Sequence, residues 1–154
     1  PFKVTSRGEV YVNMSTIDKK VYSLAGTQIE AEHFTDCNLS ESIGEKGFST
    51  PVHFRPTTDT DGGLDIYNFE TEKWVEYQIE LTQDKTYQFS MRYQTMLDTE
   101  MTIYVDNAVA EFAALEKSDS WQTFNSSFAL NKGKHTVRFK VTEGNVALNW
   151  FKIE

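Results

Sequence analysis

One cysteine, Cys37, is all the thiol chemistry in this 154-residue chain, so no internal disulfide is possible and sulfur usage gives no hint of compartment. Long apolar runs are missing. None approaches about 18 residues, and no charged-apolar-small pattern stands at the N-terminus, so neither a membrane span nor a signal peptide is expected. A chain starting at Pro1 reads as an excised or processed piece of a longer protein. Basic charge is scarce, with 15 Lys and Arg against 23 Asp and Glu for a net charge of -8. That balance opposes encounter with nucleic acid or a strongly anionic glycan. A catalytic constellation is lacking too. His33, His53 and His135 fall on an apolar strand face, in a loop and at a strand edge, with no serine elbow and no zinc-ligand spacing. Glycoside hydrolysis needs only two carboxylates at a set distance, but nothing marks such a pair. The expectation is a non-catalytic protein, with a small lyase or hydrolase as the lesser alternative.

What the chain does have is period-two alternation. At this length one domain can bury a core without disulfide or metal staples. Charged residues at 25%, aromatics at 14% and closely spaced turn residues fit an all-β domain. Val75, Tyr77, Ile79 and Leu81 alternate with Glu76, Gln78 and Glu80, the signature of a half-buried strand. Tyr87, Phe89, Met91 and Tyr93 repeat it, as do Met101, Ile103 and Val105, and then Val137, Phe139 and Val141. Residues 146–153 are apolar on both parities, which predicts a central strand covered on both faces. Residues 108–117 have the composition of a helix. Trp74 shares parity with Glu76 and Gln78, so its indole either faces solvent as a binding surface or packs under a neighbouring loop.

Residues 35–61 have weak periodicity and two prolines, Pro51 and Pro56, which predicts a long loop region of the kind that carries function. Phe48, His53, Phe54 and Arg55 are its candidate contact residues. Near the N-terminus, Val10, Val12 and Met14 allow one strand, and residues 1–26 read as a linker from an upstream region or an added edge strand. From Ile29 the alternation puts Ile29, Ala31 and His33 on one face. Glu30 and Glu32 fall on the other, with α-carbons about 6.5 Å apart. Solvated surface glutamates are one reading of that pair.

Three blocks in order carry a family resemblance: Ile29-Glu-Ala-Glu32; Gly62-Gly63 followed by Trp74-Val-Glu-Tyr77; and Trp121-Gln-Thr, then Gly133-Lys-His-Thr-Val-Arg138, then Leu148-Asn-Trp-Phe151. Together they run from about Ile29 to Glu154, and the chain resembles family 6 carbohydrate-binding modules. The resemblance implies a β-sandwich (jelly-roll, galactose-binding-like) of two antiparallel sheets over residues 27–154, with residues 108–117 as strand plus loop. It implies a secreted, non-catalytic module that binds a polysaccharide such as xylan, β-glucan or laminarin, or an agar-type chain. A covalently linked glycoside hydrolase domain would lie upstream. A structural or adhesion sandwich without a sugar ligand is the alternative.

Trp121 and Asn149 match the family's loop-end sugar site, where an indole stacks on the pyranose ring and an amide pairs with hydroxyls. Six residues before Trp74 the family carries a second clamping aromatic. Here that position is Asn68, with Tyr67 and Phe69 beside it, so Tyr67 is the substitute after a loop shift, or Trp121 stacks alone. Trp74 matches a second cleft on a sheet face. The resemblance also implies a structural calcium, held by Glu30, Glu32, the carbonyl near Leu64, and Glu154, away from the sugar sites.

Overall fold

The computed structural model describes residues 2–4, 10–12, 22–23, 26–38, 52–60 and 62–154. Through these run β1 (Phe2–Val4), β2 (Val10–Val12), β3 (Tyr22–Ser23), β4 (Gln28–Glu30), β5 (Asp36–Cys37), β6 (His53–Pro56) and β7 (Leu64–Glu70). They continue as β8 (Trp74–Leu81), β9 (Lys85–Thr95), β10 (Thr99–Val105), β11 (Ala108–Leu115), β12 (Ser118–Leu130), β13 (Gly133–Glu143) and β14 (Asn145–Ile153). A short 3-10 turn, Ala31–His33, follows β4.

Two sheets result. Sheet I has the order β11-β10-β13-β8-β3, with β5 also paired to β8; sheet II has the order β12-β9-β14-β7-β6, with β4 also paired to β14. All these pairings are antiparallel except β3 on β8. Among the described residues, β1 and β2 pair only with each other.

The alternating apolar residues named from the sequence are the core. Val75, Tyr77, Ile79 and Leu81 are buried, as are Phe89, Met91, Ile103, Phe139, Val141 and Phe151. Rings from both sheets interlock at the centre. Tyr77 of sheet I lies 4.6 Å from Phe151 of sheet II, and Phe139 lies 5.0 Å from Phe151 and 6.0 Å from Phe89. Edge-to-face geometry adds to the burial of each ring, and truncating Phe139 or Phe151 to Ala removes about 3–5 kcal/mol. The Tyr77 hydroxyl donates to the Ala31 carbonyl at 2.6 Å, anchoring the 3-10 turn to sheet I across the core.

The stretch from Ala108, helix-like in composition, forms the strand that the resemblance implies, β11, paired with β10 from Val105↔Ala108 to Thr99↔Leu115. Ladder pairing and burial of Ala113 and Leu115 override local propensity. The long loop over residues 35–61 contains two strands, β5 and β6. Phe48 and Met14 lie outside the described residues. Glu30 and Glu32 do not share a strand face, because β4 ends at Glu30 and the chain tightens at once into the 3-10 turn. That turn leaves His33 exposed rather than on the core face.

Candidate functional site

The connection between β6 and β7 positions one candidate site. These strands form one edge of sheet II, yet residues 57–60 reach back over the outer face of that sheet to β12 at the opposite edge, about 14 Å from β7. Asp59 is the fastener. Its carboxylate accepts from Arg92 on β9 at 2.8 and 2.9 Å and from the Asn149 amide on β14 at 3.0 Å. The residue is 8% exposed. Arg92's hydrogen bonds outweigh the opposing effect of burial, and with Asn149 and the Thr60 amide they lower the carboxyl to about 2. One residue earlier, Thr58 accepts a hydrogen bond from Trp121 Nε1 at 3.1 Å. Gly62 and Gly63, at φ +72° and +88°, take the left-handed conformations that return the strap to β7.

Trp121 is therefore half-exposed on β12 and tethered by its polar edge. Asn149 lies beneath the strap. It is fully buried, with its amide nitrogen committed to Asp59. The strand ladders shift register around Leu148 and Trp150, and the side chain at this irregularity lies under the strap.

Beside the strap, a cavity of about 200 Å³ is lined by Arg55, Tyr67, Asn68, Gln94 and Ala147, among others. Asn68 is exposed at φ +50°. Tyr67 carries the Arg55 guanidinium 5.2 Å from its ring centroid and the His53 ring at 5.7 Å. Arg55 in turn binds buried Asp65 at 2.9 Å. Burial raises the Asp65 pKa and Arg55 opposes the rise. Gln94 donates to the Asp119 carbonyl at 2.6 Å, joining the cavity to the Trp121 strand. Phe54 stacks on Phe34 at 5.9 Å and pins β6.

The expected metal ligands separate into two groups. Burial pushes the Glu32 carboxyl above its usual range, Glu30's charge adds to the rise, and the Leu64 backbone hydrogen-bonds to it. Glu32 Oε2 is buried without a partner. Glu154 stands elsewhere: Glu30 is opposite Trp150 on β14, and Glu154 is four residues further on, about 13 Å at strand rise, bound to Lys152 at 2.6 Å. It is not part of the cluster.

Asn149 lies next to Trp150 on β14. A carboxylate only accepts, so the amide must turn its NH2 to Asp59. Its Oδ1 is then left buried and unpartnered. Trp150 Nε1, also buried without a partner, is a donor with no role toward a cation. The buried, unpartnered Glu32 oxygen, close enough to feel the charge of Glu30, is the type of donor a hard cation takes. Among the described residues no group of three His, Cys, Asp or Glu could hold a metal.

The outer face of sheet I is built differently. Trp74, Lys140, Thr102 and Phe112 lie in one row across four strands, which puts the two rings about 14 Å apart. Phe112 is 73% exposed. The next row holds Glu76, Arg138, Tyr104 and Val109. Trp74 is half-buried on this polar face, with the Arg138 guanidinium 4.5 Å from its ring centroid. Arg138 also binds Glu76 at 2.6 Å, which is why Glu76 is buried despite facing outward. Sequence reading missed Phe112, hidden in the helix-like stretch, along with Thr58, Asp59 and Arg92.

Comparison with known proteins agrees with this architecture. The C-terminal CBM6 of LamC, a marine laminarinase from Zobellia galactanivorans, superposes with a TM-score of 0.69 at 17% identity, covering 83% of this chain and 98% of that one. The module CBM6cm-2 of Cellvibrio mixtus lichenase 5A, solved with cellotriose, gives 0.69 at 20% identity, covering 83% and 95%. A β-1,3-glucan binding CBM6 from Bacillus halodurans gives 0.66 at 17% identity, covering 89% and 99%. No curated protein matches by sequence. The family model described as carbohydrate binding module (family 6) matches residues 45–154. The chain belongs to the family 6 carbohydrate-binding modules, a family of non-catalytic binding modules.

Proposed function

We propose that this module holds a neutral polysaccharide, of the xylan, β-glucan or laminarin, or agar class, on two surfaces, and so delivers a linked glycoside hydrolase to that chain outside the cell. The observation that carries this is Trp121: a half-exposed indole whose polar edge is fixed to Thr58, in a strap itself fixed by Asp59. A pre-oriented ring loses little freedom when a sugar stacks on it. The neighbouring 200 Å³ cavity is smaller than the roughly 300–1,000 Å³ of ordinary ligand pockets. It suits a chain end, with Gln94, Asn68 and Arg55 as hydroxyl partners. The Trp74–Phe112 row suits the interior of a chain.

A calcium ion held by Glu30, Glu32 and the Leu64 carbonyl completes this reading. It would satisfy the orphaned Glu32 oxygen and stabilise the fold by binding only the folded state.

Electrophoresis in gels containing laminarin, xylan or agar tests the function, with a glycan array to name the sugar. Retardation in at least one gel, lost in the Trp74→Ala/Trp121→Ala double variant, is the expected result. A folded wild-type protein that no gel retards and no glycan captures leaves a structural sandwich as its role.

A further inference from the structure

By register Arg55 and Asp65 face each other on β6 and β7, and His53 and Tyr67 do so two residues along, which puts all four side chains on one face of the pair. The Arg55 guanidinium is held there twice. Its Nε donates to both oxygens of the fully buried Asp65 carboxylate, at 2.9 and 3.2 Å, and its carbon stands 5.2 Å from the Tyr67 ring centroid. Neither terminal nitrogen has a hydrogen-bond partner among the described residues. Yet the side chain is 40% exposed and lines the 200 Å³ cavity. The rest of the lining has the same character. The side-chain amides of Asn68 and Asn145 are also unpaired among the described residues, and Gln94 commits one N–H to the Asp119 carbonyl. No described residue that lines the cavity is acidic, in a chain whose net charge is -8.

We infer that this cavity takes a carboxylate, the acid group of a uronic acid at a chain end, and that Arg55 selects it. A guanidinium accepts nothing, and with Nε on Asp65 the donors left to Arg55 are those of its two terminal nitrogens. A sugar hydroxyl takes one of them. A carboxylate accepts two in parallel from the planar fork, which a hydroxyl cannot imitate. Asn68 and Asn145 each turn an NH2 or an oxygen outward as required, so the same cavity serves the ring hydroxyls beside the acid group. Because Asp65 is fully buried and engages Nε, the incoming charge meets the terminal nitrogens first. Arg55 is already locked between Asp65 and Tyr67, so little freedom is lost when it binds. The inference rests on the cavity as the seat of a chain end and changes one point of that reading: the chain is neutral along its length and acidic at the sugar Arg55 holds. A single carboxylate meets far less repulsion from a protein of net charge -8 than a densely anionic chain does.

The test titrates D-glucuronate and D-galacturonate, each against its neutral parent sugar, into the full chain while the backbone amides of Asn68 and Ala147 are followed in the 1H–15N spectrum. At least one uronate should bind about tenfold or more tighter than its parent, and salt at about 1 M should narrow the gap. Arg55→Lys, which keeps the charge and loses the fork, should lose most of the preference. Arg55→Gln/Asp65→Asn, which leaves no buried charge unpaired, should lose all of it while still binding the parent sugar. Equal affinity for uronate and parent in the wild type, or a preference that survives in the double variant, overturns the acid end and leaves the chain-end reading of the cavity standing. Acetate that shifts the same amides as strongly as the uronate also overturns it, since any anion would then do. Amides that none of these sugars moves overturn the chain-end reading and this inference together.

Discussion

The outer faces of the two sheets both display tryptophan, but they hold it by opposite means. On sheet II, Trp121 is tied through Thr58 to a strap whose fastener, Asp59, is itself buried on Arg92 and Asn149. On sheet I, Trp74 lies beneath an Arg138 guanidinium, on a row that ends in a 73% exposed Phe112, with no strap over it among the described residues. The first arrangement spends folding energy to fix one small site; the second leaves a longer platform open. Rigidity suits recognition of one sugar, and length suits a polymer, where several weak contacts add through avidity.

The largest expected effect is on the strap. Asp59 has its carboxyl lowered from 3.8 to about 2, a difference worth about 2 kcal/mol. Because the folded value lies below the unfolded one, that stability is present above about pH 4. It disappears as pH falls through about 2. Asp59→Asn should therefore flatten the acid limb of stability against pH measured by urea denaturation. An unchanged acid limb breaks the contrast at its source, since the strap would not be fastened by charge.

Next comes the indole itself. Trp121→Ala should weaken oligosaccharide binding at least tenfold, about 1.4 kcal/mol, in a protein that melts normally. Wild-type affinity in a folded variant would remove the loop-end site. Smaller again, Phe112→Ala should weaken polymer binding severalfold, about 1 kcal/mol or less, and leave oligosaccharide binding alone. Equal losses for both ligands would mean that the platform does not discriminate by length.

The smallest effect lies away from both faces. His135 contacts the Asp106 carboxylate and the Asn131 carbonyl, each at 2.7 Å. Both partners are acceptors, so both contacts are hydrogen bonds only when the ring is protonated. Burial lowers its pKa, but the two hydrogen bonds outweigh that and raise it above 6.5. The stabilisation is then complete below about pH 6.5 and fades as pH rises through the folded value. His135→Gln should remove that slope in thermal melts between pH 6 and 9 and leave sugar binding unchanged.

Where parity and burial coincide, the fold could be read from the sequence: β8, β9, β10 and β13 follow their alternation, and the ordered blocks identify the family. Trp74 on the polar face was legible for the same reason. The strap was not. Asp59 and Arg92 are 33 residues apart and Asp59 and Asn149 are 90 apart, and nothing local distinguishes Asp59 from the other acids of a polar loop. The burial of Asn149 was not legible because residues 146–153 are apolar on both parities, which hides a register shift at Leu148 and Trp150. Glu154 was placed with the metal by its position at the chain's end, whereas the β4–β14 register sets Glu30 opposite Trp150 instead.

Isothermal titration of Trp121→Ala and Trp74→Ala, each against a polysaccharide that retards the wild type and against an oligosaccharide cut from it, tests the division of labour most directly. Trp121→Ala should lose mainly the oligosaccharide and Trp74→Ala mainly the polymer. Parallel losses in both variants, or a Trp74→Ala protein that binds polymer normally but has lost several kcal/mol of folding stability, would contradict two distinct binding faces.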